Sequence, residues 1–215
     1  MKNPRPASLA IALGANLGDP LTTLLAVRPL LAASLAATAE AAGLAADRLH
    51  CRWSPLFRTA PVGGPPGQPP YLNAALVATA EHHPSASLNR LDPRDLLQRL
   101  QALERRFGRV RVEHWGPRHL DLDLLWCGEA RQRSAELSLP HPLLQQRSFV
   151  LAPLAAIDPA LVPQGARASA SLLLATLLNR PGEVPPEALP GRSGWPEQRP
   201  DWDLPDPSHG AAATP

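Results

Sequence analysis

Residues 114–126 read HWGPRHLDLDLLW, and the deciding part is LDLDLL. A strand turns successive side chains to opposite faces. In an extended backbone Asp121 and Asp123 therefore share one face, while Leu120, Leu122 and Leu124 share the other. The leucines supply a core-facing surface. The carboxylates remain as a pair, about 7 Å apart by the strand rise. Two anions on one half-buried face repel each other unless positive charge lies near them. A fold that keeps this strand must bring cations to it.

The chain places a supply immediately upstream. Arg109, Arg111, His114 and Arg118 form a basic run leading into the strand. Guanidiniums bind phosphate oxygens in bidentate fashion and stay charged. Two carboxylates suit Mg²⁺, which takes one or two protein carboxylates and completes its shell with substrate phosphates. Together these are the parts of a phosphoryl-transfer site. The same residues also fit a solvated basic loop beside two exposed aspartates on an edge strand, and spacing alone leaves both readings open. No Gly-rich loop ending in Gly-Lys-Ser/Thr occurs, so a P-loop kinase is excluded. His141, between Pro140 and Pro142, reads by itself as a surface turn histidine. Tyr71 and Phe149 are two of only four Phe/Tyr residues. They would ordinarily be core, yet each neighbours a polar candidate, Asn73 or Arg147, as a stacking pair for a flat heterocycle would.

At 215 residues, 44% hydrophobic and 19% charged, the chain suits one globular core. The net charge of +2 excludes bulk electrostatic attraction to nucleic acid or membrane, so an anionic ligand needs a local cluster. Cys51 and Cys127 are far apart without zinc spacing, which fits a reduced, cytoplasmic setting. No signal peptide is read at the N-terminus, and no run reaches the 18 or so apolar residues of a membrane helix. The pattern predicts strands over 8–13, 51–59, 71–80 and 120–126. It predicts helices over 21–46, capped by Asp19-Pro20 and kinked or divided at Pro29, then over 94–107 after Asp92-Pro93, and over 169–178. Residues 60–70 and 81–91 read as loops, 140–146 as a turn and 148–154 as an apolar run. The expected class is α+β with a mostly antiparallel sheet. Residues 181–215 hold 9 prolines and few aliphatics. Residues 180–215 are expected to be a disordered or loosely draped tail behind a domain of residues 1–179, dispensable for activity unless Trp195 or Trp202 docks.

Four segments, in order, resemble the 6-hydroxymethyl-7,8-dihydropterin pyrophosphokinase family of folate biosynthesis. They are IALGANLGD, FRTAPVGGPPGQPPYLNAAL, LERRFGRVRVEHWGPRHLDLDLLWCGE and LPHPLLQQRSFVLAPLAAIDPALVP, together spanning about residues 8–179. The resemblance implies a ferredoxin-like α/β sandwich and pyrophosphate transfer from ATP to the pterin alcohol, with ATP bound first. It implies two Mg²⁺ ions held by Asp121 and Asp123. It puts Thr59, Val62, Tyr71, Asn73, Trp115 and Phe149 around the pterin. It puts Glu104, Arg109, Arg111, His114, Arg118, Leu124, His141 and Arg147 around ATP, with Arg109 and Arg118 also catalytic, closing over the phosphates. Small-molecule substrates, no nucleic acid, no membrane and a monomer are expected. His114 stands where the family commonly carries Arg, which would make one positive charge titratable near pH 6.5. Two rivals remain: a Mg²⁺-dependent transferase for another heterocyclic alcohol, and an RNA-binding module built on such a sheet. Asn73 and the aromatic pair favour the pterin, and the aspartates would repel an RNA backbone.

Overall fold

Strand β1, Ser8–Ala15, sets the layers by simple alternation. Leu9, Ile11 and Leu13 enter one core, and Ala10 enters a second on the opposite face. The structure is a computed structural model and describes residues 7–80, 88–109, 116–190 and Trp195. Helix α1, Pro20–Ala41, starts where the sequence predicts: Asp19 Oδ1 accepts the Thr22 N–H at 3.1 Å, with Pro20 in the first turn. It continues through Pro29 as one helix, so the chain is not divided there. Pro29 is exposed, so the carbonyl a turn earlier can be hydrated, while Leu24, Val27, Leu31 and Leu35 hold the opposite face in the core. Gly43, at φ +77°, ends the helix earlier than residue 46. By length and composition α1 could also cross a membrane, a helix the composition did not anticipate. Its buried leucine face accounts for that apolar character.

The single strand expected over 51–59 is two strands, β2 (Leu49–Trp53) and β3 (Phe57–Thr59). Both pair antiparallel with β4, Tyr71–Ala80, Trp53 opposite Leu76 and Phe57 opposite Asn73. Three residues thus face two across the gap, a bulge held by fully buried Ser54, whose Oγ accepts the Ala75 N–H at 2.9 Å. Helix α2, Pro93–Arg106, follows its Asp92 cap, and β5, Asp121–Cys127, pairs with β1. A short hairpin of β6 (Gln132–Arg133) and β7 (Ser138–Leu139) precedes α3, Ser148–Ile157, and α4, Ala170–Leu178. The apolar run from 148 is therefore helical. It covers the second face of the sheet with α4, while α1 and α2 cover the first. Every strand pairing is antiparallel, and the order is β5-β1-β4 followed by β3, with β2 also on β4. The α+β expectation is borne out.

A boundary at residue 179 does not separate packed from loose chain. Strand β8, Glu187–Ala188, adds to β3, and the Leu189 N–H donates to Leu56 O at 2.9 Å. Trp195 is 3% exposed and its Nε1 donates to Ser54 O at 2.8 Å. Its ring centroid lies 5.4 Å from that of Trp53, and Arg28 sits over both rings at 4.9 and 5.2 Å. Trp195 is thus the docked tryptophan the sequence allowed for, and Trp202 lies outside the described residues. Apolar burial, a hydrogen bond and two cation–π contacts outweigh the ordering entropy that composition alone suggests. Trp195→Ala, or ending the chain at residue 186, should lower unfolding free energy by about 3 kcal/mol. Denaturant melts of both variants test this; midpoints matching the full chain would show that the contact contributes nothing.

Candidate active site

The β5 alternation delivers both carboxylates to one place. Asp121 and Asp123 line a cavity of about 710 Å³ on the α3 side of the sheet, with Ala12 and Gly14 of neighbouring β1 beside them. Leu122 and Leu124 point into the opposite core. The Leu124 side chain therefore packs in the first core and not among the residues that line the cavity, as strand periodicity requires. Although β5 is an edge strand, its aspartates are not free in solvent: their side chains are 22% and 32% exposed.

Each carboxylate has a cationic partner. Asp121 Oδ1 lies 2.9 Å from Arg109 NH1 and 2.8 Å from Arg118 NH1. Asp123 Oδ2 lies 3.2 Å from Arg147 NH1. Burial, then the charge of Asp121, push the Asp123 carboxyl up to about 7, with Arg147 opposing. Burial alone would lower the Arg118 value, but Asp121 outweighs it and holds the guanidinium charged. His141 enters the same cavity, so the surface-turn reading is overturned. Burial, then Arg147, push it down to about 4, so it is neutral at pH 7. Its Nδ1 accepts the Leu143 N–H at 3.2 Å, which places the ring proton on Nε2, 4.0 Å from Asp123 Oδ2. It is a neutral donor rather than a second charge.

Glu104 is 3% exposed and sits beneath the cavity, not in it. Its Oε1 accepts the Leu122 N–H at 2.8 Å and pairs with Arg109. Burial raises its pKa, while Leu122 and Arg109 favour the anion. It thereby ties Arg109 to β5. Arg111, His114 and Trp115 lie outside the described residues.

The other end of the cavity has a wall of mixed polar and aromatic side chains. Thr59, Val62, Tyr71, Asn73 and Phe149 all line it. Asn73 is 6% exposed and its Nδ2 donates to Thr59 Oγ1 at 2.6 Å, so the amide orientation is fixed. A Cβ on Gly14 would stand 2.8 Å from Asn73 Oδ1, so this strand position admits only glycine without moving that amide. Arg147 joins the two ends, its guanidinium 5.5 Å from the Phe149 ring centroid while it holds Asp123. Gly14, Gln68 and Gln146 were not foreseen as lining residues. Gly14 was visible only as part of the matched segment IALGANLGD. Among the described residues no group of three or more His, Cys, Asp or Glu could hold a metal alone. Two carboxylates facing open space instead fit Mg²⁺ that arrives with most of its oxygen ligands on a nucleotide.

The family description 7,8-dihydro-6-hydroxymethylpterin-pyrophosphokinase matches residues 10–159. The 2-amino-4-hydroxy-6-hydroxymethyldihydropteridine pyrophosphokinase of Synechocystis is 38% identical over 149 residues, 69% of this chain and 65% of that protein. The Mycobacterium tuberculosis protein of the same name is 37% identical over 160 residues, 70% of this chain and 72% of its own. Among solved structures, an HPPK-DHPS in complex with substrates gives a TM-score of 0.52 at 10% identity, covering 80% of this chain and 43% of that one. Wild-type Plasmodium falciparum HPPK-DHPS with SDX-DHP gives 0.51 at 11% identity, over 82% and 45%. The chain thus spans about two thirds of the first curated relative and under half of the solved chains. These likenesses bear out the expected family and its ferredoxin-like α+β fold, and the chain belongs to the 7,8-dihydro-6-hydroxymethylpterin-pyrophosphokinase family.

Proposed function

We propose that this chain moves the pyrophosphoryl group of ATP to the hydroxyl of 6-hydroxymethyl-7,8-dihydropterin and releases AMP, in the cytoplasm. One observation carries the reading. A single cavity has an aspartate–arginine cluster at one end and a buried, oriented amide between aromatic residues at the other. Asn73 and Thr59 would match the donor and acceptor edge of the pterin, with Tyr71 and Phe149 against its faces. Arg109, Arg118 and Arg147 would exchange their carboxylate partners for phosphate oxygens, and His141 Nε2–H would donate to one. Asp121 and Asp123 would hold two Mg²⁺ ions, which supply neutralisation of the phosphates and acidify the pterin hydroxyl. The protein's work is then alignment of the hydroxyl oxygen with the β-phosphorus and stabilisation of charge passing to the AMP oxygen.

The direct test is to incubate the chain with ATP, Mg²⁺ and the dihydropterin and identify the nucleotide product. AMP supports the proposal; ADP sinks it. Asp121→Ala and Asp123→Ala should each lower turnover roughly a thousandfold, several kcal/mol of lost charge stabilisation. Near-normal activity at saturating Mg²⁺ would remove the metal assignment. Arg118→Ala and Arg109→Ala should lower kcat more than nucleotide affinity, since their contacts to the phosphates strengthen as charge develops. Equal losses would make both arginines simple anchors.

The raised Asp123 carboxyl also predicts a pH dependence without metal. Between the ordinary carboxyl value of about 3.9 and about 7, the folded chain holds a proton the unfolded chain has lost. Its contribution to stability therefore declines as pH rises through that window and levels above it. His141 acts with opposite sign between about 4 and the ordinary histidine value of about 6.5, because there the unfolded chain holds the extra proton. The difference between wild type and Asp123→Asn separates the two. The variant should gain on the wild type as pH rises from 5 to 8, by roughly 2–3 kcal/mol for a carboxyl held near 7. A difference in melting temperature independent of pH would show that Asp123 titrates normally.

A further inference from the structure

Asn16 belongs to the turn after β1, and no step of the proposed reaction uses it. Its side chain is nevertheless buried, at 3% exposure, with donor and acceptor given to different segments. Oδ1 accepts the Arg118 N–H at 2.8 Å, and Nδ2 donates to Pro69 O at 3.1 Å. The backbone returns the first contact, since the Asn16 and Leu17 N–H groups both donate to Arg118 O, at 3.0 and 3.3 Å. Arg118 holds Asp121 at the phosphate end of the cavity. Pro69 is the penultimate residue of the segment 60–70, which carries Val62 and Gln68 along the heterocycle end. The Tyr71 hydroxyl spans the same gap, 3.3 Å from Gly116 O and 3.4 Å from Gln68 Oε1.

We propose that Asn16 is a positioning residue that couples the two ends of the site, so that phosphates fixing Arg118 also set the 60–70 wall for the pterin. This rests on the assignment of the two ends made above. A buried amide with both halves engaged resists a shift of one segment without the other, because either shift would strand a buried polar group. Such coupling is reciprocal: bound nucleotide raises pterin affinity by the factor with which pterin raises nucleotide affinity.

The measurement is the dissociation constant of the dihydropterin with and without saturating Mg²⁺ and α,β-methylene-ATP, whose bridge prevents turnover. In wild type the nucleotide analogue should tighten pterin binding. Asn16→Asp keeps the acceptor for Arg118 but puts an oxygen against the Pro69 carbonyl. It should leave nucleotide affinity within about twofold and reduce the coupling factor by roughly fivefold or more. Tyr71→Phe keeps the ring, removes the second bridge and should give a smaller loss; it decides alone if Asn16→Asp does not fold. A purely structural role would lower the melting temperature and leave the coupling factor unchanged. That result, or a coupling factor of one in wild type, overturns the inference. Asn73→Ala is measured alongside: undiminished pterin affinity there would refute the pterin-end assignment, while the coupling factor still decides the role of Asn16.

Discussion

Charge balance on one face of β5 is the constraint around which the site is organised. The strand must bury leucines on one side, so the intervening Asp121 and Asp123 are forced together on the other. Their mutual repulsion would oppose folding without the three arginines that answer them. Two of those arginines lie just upstream, Arg109 beyond α2 and Arg118 before β5, and the third, Arg147, comes from the start of α3. Buried Glu104 ties this arrangement to the core, holding Arg109 and the Leu122 N–H with one carboxylate. Anion and cation are therefore stored together, and the proposed reaction would separate them as phosphates and metal enter.

The other end of the cavity, the proposed pterin site, follows a different rule. It depends less on charge than on fixing a few polar atoms in a largely apolar wall. Asn73 is oriented by Thr59, and the absence of a side chain at Gly14 leaves room for its amide. The bulge at Ser54 lets β3 rejoin β4 in the register that brings Thr59 near Asn73. The C-terminal contacts bear on the same strand, with β8 along β3 and Trp195 on the Ser54 carbonyl. A segment that composition marked as loose thus supports the edge on which the pocket is built.

Features that depend on local periodicity or capping were legible in the sequence. The β5 face, the Asp19 and Asp92 caps and the antiparallel α+β class needed only strand period, turn chemistry and element order. Features that depend on distant partners were not. Pro29 is tolerated because the rest of its helix packs, which no local rule states. His141 leaves the surface only because its turn is drawn to the cavity edge, where its N–H donates to Leu125 O at 2.8 Å. Glu104 came into view only by resemblance, and its two partners, Arg109 and the Leu122 N–H, became visible only in the fold. The docked Trp195 required a partner 141 residues away, the Ser54 carbonyl, which sequence spacing cannot reveal.

The account turns on the arginines and the metal exchanging places at the aspartates. It is tested most directly by a crystal structure with Mn²⁺, α,β-methylene-ATP and the dihydropterin, using anomalous scattering to locate the metal. Metal peaks bound by both Asp121 and Asp123, with Arg109 and Arg118 moved onto phosphate oxygens, are the predicted result. Metal held by the phosphates alone, with both guanidiniums still on Asp121, would contradict it.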